Sequence, residues 1–247
     1  MRNWMWKQGK LLVRIPYSRS GVATNIFVDD GETLLVLDAG DGVLRDILDH
    51  HLPLNRLQHV LLSHNHIDHT AGLLPLFFFL NLIQRHDPVE LYYPALGTDS
   101  LKKLLAIYEE RPSSFAVRHR ELRDQEEFTL GRFRVRPFFV HHKEPELRDR
   151  ADPRRVSAVG LKLVHPEGTV LYSGDAGFTA ELQQEARGVD LAIVEATWGK
   201  DFEKFARDRT PEERAQMSRV HMTEEEARRV GAGAREHVLV HRISVGH

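Results

Sequence analysis

Residues 64–69 read His-Asn-His-Ile-Asp-His and lie directly behind the apolar run His59–Ser63. No other stretch narrows the fold of this chain as far. Burying polar groups without partners costs roughly 2–7 kcal/mol each, so a fold that keeps them at a strand end must give them a common partner. In extended backbone, positions i and i+2 point the same way, which lets His64 and His66 share one ion. Asp68 and His69 lie beyond the following turn and can face a second ion nearby. Imidazole and carboxylate form the usual zinc ligand set where thiolate is absent, and carboxylates also admit manganese. The chain has 15 histidines and no cysteine, which also excludes disulfide frameworks, iron–sulfur clusters and cysteine nucleophiles. The expected cofactor is a pair of Zn2+ ions, with Mn2+ as the substitute.

Short β-rich runs surround this motif: Leu11–Ile15, Thr24–Val28, Thr33–Leu37 and His59–Ser63. Asp29-Asp30-Gly31 is a turn signal that makes residues 24–37 a hairpin. Gly42–His50 fits a short amphipathic helix, Thr70–Gln84 a buried helix and Thr98–Glu110 an amphipathic one. The second half repeats the rhythm. Glu127–Leu130, Phe133–Val140, Ala158–Val164 and Thr169–Tyr172 are strand-like, with His165-Pro166-Glu167-Gly168 as a turn between the last two. Ala180–Ala186 is helical and Leu191–Val194 is a buried strand. Thr223 and Glu226 form a capping box for a helix to about Arg235, and His237–Val240 is the last strand. Strands then helices, twice over, predict an α/β (α+β) fold with two sheets face to face and helices outside.

Composition sets the outer limits. At 247 residues and 41% apolar content the chain can bury a sizeable core, and no linker or repeat divides it, so residues 1–247 read as a single domain. Lys plus Arg is 34 against 36 Asp plus Glu, a net charge of −2 that argues against a general nucleic-acid coat. The longest apolar stretch, Leu73–Ile83, has 11 residues, whereas a bilayer span needs roughly 20. The first residues, Met-Arg-Asn-Trp-Met-Trp-Lys, lack the apolar core of a signal peptide. A cytoplasmic protein with no membrane partner is the expectation.

Further motifs stand in order around residues 64–69. Leu34-Leu35-Val36-Leu37-Asp38-Ala39-Gly40 precedes them, and Phe138-Phe139-Val140-His141-His142, Tyr172-Ser173-Gly174-Asp175 and Val238-Leu239-Val240-His241 follow. Together they resemble the metallo-β-lactamase superfamily over nearly the whole chain. The resemblance implies a four-layer αββα sandwich with a dinuclear centre. His64, His66 and His142 would hold one ion, Asp68, His69 and His241 the other, with Asp175 between them and Asp38 orienting the ligand loop. The adjacent His141 and His142 leave the third motif ambiguous; the hydrophobic-x-His spacing favours His142, with His141 on the opposite side of the strand.

Two more segments, Ile193-Val194-Glu195-Ala196-Thr197-Trp198 and His221-Met222-Thr223, are similar to the ribonuclease Z branch and its phosphodiesterase relatives. There the Glu holds the His, which protonates the leaving oxygen. This implies catalytic roles for Glu195 and His221, with Asp68 orienting the attacking water. A departing alkoxide gains charge as the P–O bond breaks, so a positioned acid helps. Two departures separate the chain from tRNA maturation. The long tRNA-gripping arm has no room between Ala158–Val164 and Thr169–Tyr172, and the sequence stops at His247 without the Phe-Ser-x-Arg ending usual in that branch. The expected partner is a small phosphorylated substrate or a short nucleic-acid end, and the family often forms homodimers.

The competing readings are a thioesterase, lactonase or β-lactamase on the same fold, a ribonuclease Z-like tRNA 3′ endonuclease, and an inactive metal-binding scaffold. The first group shares the His-rich motif but has no use for Glu195 and His221. A redox diiron relative would replace His66 by a carboxylate, and a degenerate scaffold usually loses ligands. Lys143–Val156, directly behind the third motif, carries Arg148, Arg150, Arg154 and Arg155. These either pair with Glu144, Glu146, Asp149 and Asp152 or close as a lid over a phosphate; the lid is the expectation here.

Overall fold

The structure is a computed structural model that describes residues 2–142, 148–199, 204 and 206–243. Seven strands make the first sheet in sequence order: β1 (Arg2–Gln8), β2 (Leu11–Arg19), β3 (Ala23–Asp29), β4 (Leu34–Ala39), β5 (Leu57–Leu61), β6 (Val89–Pro94) and β7 (Val117–Leu122). The strands from β1 to β4 pair antiparallel, and those from β4 to β7 parallel. Helices α1 (Val43–Asp49), α2 (Ile67–Thr70), α3 (Leu73–Leu82) and α4 (Asp99–Glu109) belong to this half.

The second sheet has six strands: β8 (Phe128–Leu130), β9 (Phe133–Phe139), β10 (Val159–His165), β11 (Gly168–Tyr172), β12 (Leu191–Glu195) and β13 (Glu236–Val240). It too changes from antiparallel to parallel pairing, at β11. Helices α5 (Ala180–Glu185), α6 (Pro211–Val220) and α7 (Glu224–Gly231) follow its strands. This repeated pattern matters for function. Strands β4, β5, β9, β11, β12 and β13 all deliver their carboxyl ends to one rim of the sandwich, where open α/β folds place ligands.

Three apolar layers hold the sandwich together. Val13, Ile26, Leu37, Phe133, Leu161 and Ile193 pack between the sheets. Val36, Val60, Phe77 and Leu105 pack under α1, α3 and α4, and Leu171, Val194, Leu182 and Val230 seal the second sheet against α5 and α7. The result is the expected four layers, helix–sheet–sheet–helix. Pro75 sits inside the first turn of α3, where its missing N–H has no intrahelical acceptor to lose. Gly40 is required by contact: a Cβ there would lie 2.3 Å from the carbonyl O of Asp68 and 2.7 Å from the amide N of Thr24.

The hairpin at residues 24–37 and the β10–β11 hairpin form as expected, the latter closing between His165 and Gly168. Four elements were not legible in advance. β1, β6 and β7 lack clean alternation, and the edge strand β7 exposes Arg118, His119 and Arg120. α6 buries no residue, and only its capping box of Thr210 and Glu213 with Pro211 announces it. The last helix, α7, ends at Gly231 rather than near Arg235 because residues 232–235 turn back into β13. Among the described residues, no helix is long and apolar enough to cross a membrane.

Candidate metal centre

Asp38 is the anchor of the rim. It leaves β4 with φ 58°, and its carboxylate accepts from Ser63 N (2.7 Å), Ser63 Oγ (2.8 Å), His69 Nδ1 (2.7 Å) and Tyr172 Oη (2.6 Å). Four donors on one buried carboxylate fix the exit of β5 against β4 and β11. They also set ring chemistry. A carboxylate only accepts, so His69 presents Nδ1–H to Asp38 and its Nε2 lone pair to the rim. Ser63 Oγ donates to Asp38, so it accepts from Nδ1 of His64 at 3.0 Å, and that ring likewise turns Nε2 inward. His142 Nδ1 donates to the carbonyl of Val220 at 3.0 Å, with the same consequence.

The inward atoms converge. One ligand atom each from His64, His66, His142 and Asp175 lies within 4.8 Å of the others, and the same holds for Asp68, His69 and His241. The two sets touch. His69 Nε2 is 3.3 Å from His241 Nε2 and 3.5 Å from Asp175 Oδ1, while His142 Nε2 is 3.2 Å from His66 Nδ1. Lone pairs do not bond to each other, and His64 Nε2 and Asp175 Oδ1 are buried without any hydrogen-bond partner. Buried polar groups are otherwise almost always satisfied. The donor set is therefore complementary to divalent cations, and no thiolate is needed.

The electrostatics agree. Burial, with His69 and His142 close by, pushes the pKa of His64 well below the ordinary imidazole value, and burial takes His142 down to about 3. Both stay neutral, as ligands must. Burial also opposes charge on His69, but the carboxylates of Asp175 and Asp38 outweigh it and raise its pKa. Burial opposes charge on Asp175 as well, yet His241 and His69 hold its pKa well below the carboxylate range. A position that draws a proton so strongly is one that attracts a metal cation.

Beside this cluster, Glu195 at the end of β12 is fully buried. Its carboxylate accepts from the main-chain N of Thr197 (2.7 Å), Met222 (2.8 Å) and Ala176 (3.3 Å), and from His221 Nδ1 at 3.3 Å. His221 follows α6 directly, and a ligand atom of its ring lies within 4.8 Å of ones on Asp175 and His241. Burial lowers the tendency of His221 to charge, but Glu195 more than restores it, and its pKa is raised. Gly177 brings α6 into place, since a Cβ on it would sit 1.9 Å from the carbonyl O of Arg219. Gly177→Ala is expected to cost about 1–3 kcal/mol by overpacking. An unshifted midpoint in urea unfolding would show that this contact has slack.

All seven ligand candidates, with Asp38, Glu195 and His221, thus meet at one rim. His141 does not. It lines a separate cavity of about 470 Å³ with Phe138, Phe139, Asp124 and Arg148. The arginine lid also requires correction. Residues 143–147, with Lys143, Glu144 and Glu146, lie outside the described residues. Arg148 pairs with Asp124 at 2.9 Å and lies over the ring of Phe139, Arg154 pairs with Glu126 at 3.4 Å, and Arg155 pairs with Glu121 and Asp149 at 3.1 Å. Asp124 and Glu126 lie in the β7–β8 connection, Glu121 in β7 and Asp149 in the loop itself, so Arg148, Arg154 and Arg155 are each paired with a carboxylate away from the rim. Sequence reasoning missed Thr197, Ser63 and Tyr172 as holders of the site, because hydroxyl contacts between distant strands leave no spacing signal.

Asp38→Asn tests the anchor. Asparagine tolerates the left-handed backbone but offers N–H where His69 also needs an acceptor. Loss of such an orienting contact is expected to weaken metal binding by roughly 10- to 100-fold. A competition titration against a chromogenic chelator reads the effect, and an unchanged dissociation constant would contradict it.

The family model of the beta-lactamase superfamily domain matches residues 33–241. The chain belongs to this superfamily. An uncharacterized protein of Mycobacterium tuberculosis is 33% identical over 175 residues, covering 66% of this chain and 57% of its own length. The superfamily domain described here thus spans little more than half of that relative. A ribonuclease Z of Bradyrhizobium is 24% identical over 222 residues, covering 74% of each chain. The crystal structure of the metallo-beta-lactamase fold protein YhfI from Bacillus subtilis superposes with a TM-score of 0.72 at 22% identity, over 95% of this chain and 87% of that one. That likeness is one of fold, and it matches the two sheets and their helices.

Proposed function

We propose that this superfamily member is a metal-dependent phosphodiesterase acting on a small phosphodiester, a nucleotide or a short RNA end. The observation that carries the reading is the Glu195–His221 couple, set against the carboxylate–histidine cluster. A thioesterase or lactonase gains nothing from it, whereas a phosphodiester leaves behind an alkoxide that needs a proton. The likeness to ribonuclease Z supports the same bond type. His64, His66, His142 and Asp175 would hold one ion, and Asp68, His69 and His241, with Asp175 shared, the other; zinc suits this set best and manganese second. Bound there, the ions would supply Lewis acidity and a water of lowered pKa.

The remaining chemistry belongs to the chain. Asp68 is held by the main-chain N–H of Gly21, which donates to its Oδ2 at 2.9 Å. So fixed, it orients the attacking water and takes its proton. Glu195 is held by three main-chain N–H donors and accepts Nδ1–H of His221. That leaves Nε2–H of the imidazolium to protonate the departing oxygen. The tight β10–β11 hairpin leaves no projecting arm at that connection, which favours a small substrate over a folded RNA.

The test is a side-by-side rate comparison on the zinc-loaded protein with bis-p-nitrophenyl phosphate, a thioester, a lactone, a β-lactam and a precursor tRNA. Diester hydrolysis abolished by chelator is the expected result. Preference for the thioester, lactone or β-lactam would sink the phosphodiesterase reading, and efficient precursor trimming would overturn the small-substrate part.

A further inference from the structure

Thr197 sits where the ligand cluster meets the Glu195–His221 couple. The side chain is buried, and its Oγ1 lies 3.1 Å from Nδ1 of His221, 3.0 Å from Nδ1 of His241 and 3.2 Å from the carbonyl O of His241. A threonine hydroxyl has one proton and two lone pairs. The carbonyl can only accept, so the single proton goes to it. Both lone pairs then face imidazole nitrogens, and each contact is a bond only if that nitrogen carries a proton. His221 Nδ1 also faces a carboxylate oxygen of Glu195 at 3.3 Å, which demands the same. His241 turns its other nitrogen, Nε2, to Asp68 Oδ2 at 3.2 Å, a fellow member of its ligand set.

We infer that Thr197 is a positioning residue that fixes the Nδ1–H form of His221 and His241 together, turning Nε2 of His241 to the cluster and Nε2 of His221 to the substrate. The part concerning His221 rests on the phosphodiesterase reading. One hydroxyl so satisfied ties the proton donor to the ligand set with no spare valence. It also steadies the backbone of His241, which has φ 54° and whose N–H donates to Ser18 Oγ at 2.9 Å. Filling space alone would be served equally by valine.

Two variants separate these roles. Thr197→Val keeps the shape and removes the hydroxyl; Thr197→Ser keeps the hydroxyl. In zinc-loaded protein labelled with ¹⁵N-histidine, long-range proton–nitrogen correlations are expected to show Nδ1 of His241 and His221 protonated. In Thr197→Val the Nδ1–H signal of His241 is expected to vanish by solvent exchange, with zinc affinity falling by roughly 10- to 100-fold. Turnover of an alkyl diester should fall while KM stays, and Thr197→Ser should restore both zinc affinity and turnover. Wild-type zinc affinity in Thr197→Val, or a bare Nδ1 on His241 in the wild type, would overturn the inference. If the wild type cleaves no diester, the functional reading fails, while the zinc and resonance measurements still decide the role of Thr197.

Discussion

His221→Ala is expected to lower turnover of a diester with an alkyl leaving group by roughly 10²- to 10⁴-fold, with metal content unchanged. The side chain contacts Glu195 and Thr197 and adjoins the cluster, but seven other side chains complete the two ligand sets without it. The loss should shrink for p-nitrophenyl diesters, because nitrophenolate leaves with little need of a proton. Glu195→Gln should give a smaller defect with the same leaving-group dependence, since it removes the charge that favours the imidazolium but keeps a side chain of the same size. Rates of the variants on both substrate types, with zinc counted per chain, check the assignment. Equal losses on good and poor leaving groups would point to substrate binding instead.

Metal removal should be nearly as visible in stability. An ion at about a thousand times its dissociation constant adds roughly 4 kcal/mol to the folded state. In a domain of this size each kcal/mol moves the melting temperature by about 2–4 °C, so chelation should lower it by about 8–16 °C. The direction follows from assembly: the Asp68–His69 pair, Asp175 and His241 come from separate parts of the chain and meet only in the folded state, so an ion held by them stabilises that state. Histidine ligands bind metal only when deprotonated, so the gap between loaded and stripped protein should narrow as the pH falls. Calorimetry with and without chelator measures it, and coincident transitions would mean that the cluster holds no ion in solution.

The rim was readable because its residues sit at strand ends marked by short, ordered motifs. His64, His66, Asp68 and His69 fall within six residues, and Asp38, Asp175, Glu195 and His241 each end an apolar run that becomes β4, β11, β12 or β13. Local pattern sufficed there. It failed where burial is decided by distant partners. β7 is an edge strand whose exposed arginines mask its alternation, and α6 packs no buried side chain, so neither carries a hydrophobic period. The loop arginines show the same limit: their charge was visible in the sequence, but their commitment to Glu121, Asp124 and Glu126 depends on how β7 and β8 connect. His142 was separated from His141 by strand alternation, a local rule, and the structure places His142 at the rim and His141 in the separate cavity.

Crystals of the zinc-loaded protein, with anomalous difference maps recorded on either side of the zinc edge, test the central claim most directly. The account predicts two peaks at the rim, one among His64, His66 and His142 and one among Asp68, His69 and His241, with Asp175 reaching both. A map without peaks there, or with zinc bound only elsewhere on the surface, would contradict it.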